Sequence, residues 1–493
     1  MTPESFSPTG TDEPITAPPP GCPAHGIGPG GLRRLYGPGS EDLRPVYEEL
    51  RAQYGAVAPV LLHEDVPIWV VLGHSENLHM VRTPSQFCRD PRQWSALQDG
   101  TIKPNHPLMP HIAWQPICCH AEGDEHRRLR GAVTGAMSSI DHRGIRRYIN
   151  RATQHLVNKF CGVGRAELVS QFAEHLPMAV LCEIFGMSDE YNDRIVEAAR
   201  DLPKGTETAI QSNAYIMDVL MRLTLRRRAE PKDDFASHLI NHPAGLNDDE
   251  VGQHLRVVLI AAYEATVNLL ANVLRVVLTD PGFRAQLSGG QMTVPQAVEQ
   301  SLWDEPPFNT ILPYVAKQEC DLGGQRIRKG DALLLGIAPG NVDPRVRPDL
   351  TANMQGNRSH LAFGGGPHEC PGQDIGRAIA EVGVDALLAR LPDVQLACEE
   401  DELSWRESIF SRHLVELPVM FEPKAQQEVL AFPEKPVPAQ RSGDWRIGTP
   451  QPQTVAPQPP AQPTAPPSTP APTSEPAGSP GFFQRLLRWW RGE

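Results

Sequence analysis

The sequence predicts a large, mostly α-helical domain with small β sheets over residues 31–423. Three observations predict it. Alternating apolar text at residues 58–73 (APVLLHEDVPIWVVLG) marks a β region. Mostly helical text with polar breaks follows, and its longest stretch runs from Asn247 to Thr279. The excess of proline, 50 of 493 residues, gathers at the two ends and leaves the middle free to pack.

The domain opens with a helix near Glu41–Tyr54, and the alternating segment follows it. The long helix starts at Asn247, a residue suited to capping, with Glu250 three positions on. This is a capping-box arrangement. It stops before Asp280-Pro281-Gly282, and at 1.5 Å per residue it is about 48 Å long. Arg256, Glu264, Asn268 and Arg275 interrupt its apolar run, so it reads as a buried helix of a soluble domain rather than a membrane span.

The ends differ in composition. Residues 1–30 carry eight prolines with Gly, Ser and Thr and no apolar period, which predicts a disordered segment. Residues 424–480 predict a disordered linker: from Thr449 to Pro480 there are 12 prolines in 32 residues, and Glu475 is the only charge. Residues 481–493 (GFFQRLLRWWRGE) set aromatic residues beside Arg485, Arg488 and Arg491. They suit a short amphipathic helix on an anionic membrane or a partner protein, or a sticky frayed end. A formal charge of -13 argues against nucleic-acid binding. Nine cysteines without a repeating spacing do not form a disulfide framework, and the N-terminal text has no secretory pattern. The expected setting is a reduced cytoplasm, with peripheral membrane contact through the tail as the alternative.

The chemistry gathers at His360–Gly372, HLAFGGGPHECPG. Gly364, Gly365 and Gly366 allow backbone to approach a flat ligand. Cys370 then precedes a helical stretch, where the positive end of a helix dipole favours a thiolate. Such a sulfur suits an electron-donating axial ligand to iron. The other readings are a structural cysteine in a glycine turn, or a zinc ligand with His360 or His368. With one cysteine in the stretch and no paired CxxC, the zinc reading lacks its usual donors.

At Phe363, Gly364, Gly366, His368, Cys370 and Gly372 this segment resembles the haem-ligand loop of the cytochrome P450 monooxygenases. The resemblance reaches over roughly residues 35–420. Ala121–Arg130 resembles the family helix whose His126 and Arg130, four apart, would hold haem propionates, with His360 as a third holder. Residues 316–338 resemble its small sheet. The resemblance implies a long helix over haem b, with Cys370 as axial ligand to the metal and Phe363 and Gly364 bedding the cofactor. It also implies a monooxygenase acting on a small organic molecule, with electrons from a ferredoxin and ferredoxin reductase. Arg127 and Arg128 would present a basic docking face to that partner.

Two departures qualify the resemblance. The long helix has Ala261-Ala262-Tyr263-Glu264-Ala265-Thr266, so alanine stands where the family's threonine is usual, and the hydroxyl comes one residue later. The expected proton-delivery group is Glu264 with Thr266 or Tyr263. The family's Glu-x-x-Arg is replaced by Gln300 and Trp303 in Glu299-Gln300-Ser301-Leu302-Trp303, and Tyr314 replaces a strand arginine that usually meets a propionate. These departures keep two alternatives open: a haem-binding protein with little hydroxylase activity that serves a complex, or a peroxide-driven oxidase.

Overall fold

Asn247 begins the element around which the rest packs. Its side-chain Oδ1 accepts from the Glu250 N–H at 2.9 Å, and Glu250 Oε2 accepts from the Asn247 N–H at 2.9 Å. Two donors that a helix start leaves unpaired are thereby satisfied. The helix runs Asp248–Thr279, as the sequence predicts. It is long and apolar enough to cross a membrane, but 61% of its most apolar window is buried inside the fold, which makes it a core helix.

The computed structural model describes residues 31–36, 42–202, 207–354, 356–406, 408 and 410–429. The proline-rich N-terminal segment, most of the expected linker and the basic aromatic tail lie outside the described residues. The folded unit passes the expected boundary at 423. Lys424 N–H donates to Cys161 O at 2.8 Å, and Gln427 O accepts from Asn158 at 2.7 Å.

Five helices matter for the site: α1 (Arg44–Tyr54), α2 (Gly123–Ser138), α3 (Asp248–Thr279), α4 (Val294–Asp304) and α5 (Gln373–Arg390). A mixed six-stranded sheet lies beside them. Its strands are β1 (Arg33–Arg34), β2 (Val57–Leu62), β3 (Val66–Val71), β4 (Phe87–Cys88), β5 (Thr310–Ala316) and β6 (Ala332–Gly336), in the order β1-β2-β3-β6-β5-β4. The Leu-Gly-Gly text turns the two-stranded hairpin Cys320–Leu322 with Gln325–Ile327. A strand at Pro418–Met420 pairs with Arg165–Glu167 and with Gln395–Leu396. The main core joins α3, α4 and α5: Leu269, Leu270, Val273, Ala297, Val298, Ile379 and Val384 are buried together. This packing holds the cysteine loop, which enters α5, against the elements that face it.

Candidate haem site

The loop before α5 folds back on itself. Gly364 and Gly366 have φ of +68° and +64°, which side chains rarely tolerate, and a side chain at Gly366 would run into the Val81 carbonyl. At Gly364 nothing lies within 4 Å of where a side chain would start. The Cys370 N–H donates to Phe363 O at 2.9 Å, which closes the turn. Pro371 lies ahead of α5 rather than in its first turn. Cys370 is only half-buried by accessible surface. Burial pushes its thiol up, against the Gly372 N–H and the Arg130 charge, which favour the anion. The Gly372 N–H, at the start of α5, favours the thiolate as the sequence suggests, and burial opposes it.

His126 and Arg130 project from α2 toward this loop. Arg130 donates to the Glu369 carbonyl, next to Cys370. The His126 and His368 rings are 4.3 Å apart, and His126 Nε2 is buried without a partner among the described residues. Burial, then His368 and Arg130, lower the His126 pKa to about 4. Phe363 lies under the Arg377 guanidinium, 4.4 Å from its ring centre.

His360 is placed differently from expectation. Its Nδ1 accepts from the Ala362 N–H at 3.3 Å, so the proton sits on Nε2, which reaches Glu299 Oε2 at 3.2 Å. Both ring nitrogens are engaged within the protein, and the expected third propionate contact has no free nitrogen to make it.

Glu299 carries the buried charge pair of α4. It is 3% exposed on α4, and its Oε1 accepts from Arg377 Nε at 2.5 Å. Arg377 and His360 hold the carboxyl down at about 2 even though burial opposes this. Neutral hydrogen bonds occupy the Gln300 and Trp303 positions. Gln300 Oε1 accepts from the Met354 N–H at 2.8 Å, and Trp303 Nε1 donates to Asn357 O at 2.7 Å. The two neutral groups tie α4 to Met354 and Asn357, beside the charge pair that Glu299 makes.

On α3 a set of accessible residues shares the face around Ala261. Ala261 is exposed, and Val257, Val258, Ala262, Glu264 and Ala265 are half-buried. At about 100° per residue, Glu264 and Ala265 fall about 60° and 40° to either side of Ala261. Tyr263 falls about 160° away and Thr266 about 140° away, and both are buried. The Tyr263 hydroxyl is buried without a partner among the described residues, and Glu174, Arg200 and Arg406 influence it. Only Glu264 of the expected trio shares the open face. Burial pushes its carboxyl up, while Ser411 and Arg406 pull the other way.

One further expectation is corrected. Arg127 pairs with Asp124, and Arg128 pairs with Glu125 at 2.9 Å and with Glu250, so neither arginine is a free docking charge. Arg89, Arg377 and Ser411 also stand at the site, and local sequence gives little sign of them. Arg377 stands one helical stretch beyond Cys370, the one signal available for it; Arg89 and Ser411 reach the site only through the fold.

The arrangement has counterparts among known proteins. No model of a protein family matches the chain. The chain is 30% identical over 398 residues to mycinamicin IV hydroxylase/epoxidase of Micromonospora griseorubida, covering 77% of this chain and 94% of that one. The chain belongs to the cytochrome P450 family. It is also 28% identical to 2-hydroxy-5-methyl-1-naphthoate 7-hydroxylase of Streptomyces carzinostaticus, over 76% of this chain and 94% of the relative. Its structure matches that of CYP154A1 from Streptomyces coelicolor A3(2) with a TM-score of 0.70 at 25% identity, covering 79% of this chain and all of that one. The P450 fold and its mostly helical class with small sheets are thereby established, and the likeness is to the actinomycete type. As a P450 this chain is a monooxygenase that uses haem b held by a cysteine thiolate.

The residues present fit that group. The Gly364 bed is open, His126 Nε2 is buried and unsatisfied, and Arg89, Arg130, His126 and His368 gather around Cys119 and Cys370. Two arginines and two imidazoles beside an open bed suit a planar ligand carrying carboxylates.

Proposed function

We propose that Cys370 is the thiolate ligand of the haem, that His126 and Arg130 hold its propionates, and that Phe363 and Gly364 line its bed. The observation that carries this reading is the Cys370 turn, with Arg130 bonded to the carbonyl beside it. When bound, the haem supplies the iron at which dioxygen is activated and one oxygen atom passes to a substrate. The chain supplies the rest. Arg377, Glu299 and His360 fix the loop so that the sulfur faces one direction. The apolar face of Val257, Val258, Ala261 and Ala265 excludes water and receives a small organic substrate. Glu264, its carboxyl raised by burial, is the group that can take up and pass a proton on that face, with the Ser411 hydroxyl as its neighbour. Tyr263 and Thr266 belong to the opposite side of the helix and serve packing.

Electrons come from a separate ferredoxin and ferredoxin reductase, and the enzyme works in the cytoplasm. The basic aromatic segment 481–493 touches an anionic membrane or a partner protein. Binding to anionic vesicles that disappears when the chain ends after Gln427 supports this role of the tail, and equal binding of the two forms removes it.

The placement of Ala265, without a hydroxyl, on the open face favours a second reading: a peroxide-driven oxidase. A panel of small aromatic, macrolide and fatty-acid substrates separates the two. Product formed with ferredoxin, its reductase and reduced nicotinamide supports the oxygen-driven reading. Product formed only with added peroxide overturns it. Thiolate-ligated haem that turns over nothing in either system points to the binding-protein alternative.

A further inference from the structure

Arg89 follows β4 and approaches the site from the sheet. Its guanidinium lies 5.2 Å from the Tyr314 ring centre, and its Nε is buried without a hydrogen-bond partner among the described residues. Its one side-chain hydrogen bond among them is a long one, Nη2 to Leu312 O at 3.3 Å. Glu122 accepts from the Arg89 backbone N–H at 2.8 Å and lies 3.6 Å from His368. The Arg89 backbone bond to Glu122, and the approach of Glu122 to His368, whose ring lies 4.3 Å from that of His126, set Arg89 beside the helix that carries His126 and Arg130. A guanidinium this poorly satisfied at a half-buried position is costly unless an anion meets it.

We propose that Arg89 is a haem-propionate ligand, taking over from two positions that cannot serve. Tyr314 carries no positive charge, and His360 has both nitrogens committed to Glu299 and Ala362. The cation comes from a different strand and lies over the residue that stands where an arginine is usual. A carboxylate there forms a charge-assisted bond to the guanidinium, geometry that arginine suits better than lysine. This inference rests on the haem reading above.

The test is haem retention, which needs no turnover. Haem-loaded wild type, Arg89→Leu, Arg89→Gln and Arg89→Leu/Tyr314→Arg are mixed with excess apomyoglobin, and haem transfer is followed by absorbance. Thermal melting of each protein without haem controls for fold. Loss of a charge-assisted bond predicts transfer about tenfold faster or more in both single variants, with haem-free melting unchanged. Slower transfer in the double variant than in Arg89→Leu adds that the two positions are equivalent. Wild-type transfer rates in the single variants overturn the inference, as does acceleration matched by an equal loss of haem-free stability. Wild type that takes up no haem overturns the underlying reading instead, and the two failures are distinct.

Discussion

Glu299→Gln isolates the buried charge that α4 presents to Arg377 and His360. The carboxylate meets Arg377 at 2.5 Å and His360 at 3.2 Å in a setting where it is 3% exposed. Its pKa falls from an ordinary 4.5 to about 2. At about 1.4 kcal/mol per tenfold change this coupling is worth about 3 kcal/mol at neutral pH. The substitution also leaves Arg377, 6% exposed, without its carboxylate, a loss usually of about 3–5 kcal/mol, while the glutamine amide recovers part of it. The net expectation is about 3 kcal/mol. Because the folded pKa is depressed, the stabilisation is present above pH 4.5 and fades as pH falls toward 2. Urea unfolding of wild type and Glu299→Gln without haem, at pH 7 and pH 3, reads this directly. The gap at pH 7 should fall by about half at pH 3. A gap below about 1 kcal/mol at pH 7, or one that does not change with pH, refutes the reasoning.

Other outcomes follow from the same geometry. Trp303→Phe keeps most of the buried volume but leaves Asn357 O without its donor, so unfolding should cost about 1–2 kcal/mol less in urea titration. His126→Leu should speed haem loss to apomyoglobin by about tenfold, since a buried nitrogen poised for a carboxylate is removed. Glu264→Gln should lower product formation by about tenfold or more without changing haem content. Ala265→Thr puts a hydroxyl on the open face and should raise the product formed per electron consumed, whereas Thr266→Ala should leave that ratio within about twofold.

The elements written in local chemistry were legible. Asn247 with Glu250 marked the start of the long helix, Leu322-Gly323-Gly324 marked the hairpin, and the glycine run with Cys370 marked the loop. What escaped was partner choice across long separations. His360 was expected at a propionate but bonds to Glu299, 61 residues earlier, and nothing local to His360 signals that carboxylate. Glu299 was expected to lie off the resemblance's Glu-x-x-Arg register, and no arginine follows it on the same helix. It is the fold that brings Arg377 to it from α5. Tyr263 and Thr266 were candidates by type, and the helical period then turned both away from the face that carries Ala261. The charges of Arg127 and Arg128 read as basic from the sequence and are neutralised by Asp124, Glu125 and Glu250 once folded.

The identity of the iron's sulfur ligand bears most directly on the account. Wild type and Cys370→Ala are loaded with haem, reduced and exposed to carbon monoxide while the Soret region is scanned. The account predicts the long-wavelength band of thiolate ligation in the wild type and its absence in the variant. The same band in both proteins would contradict it.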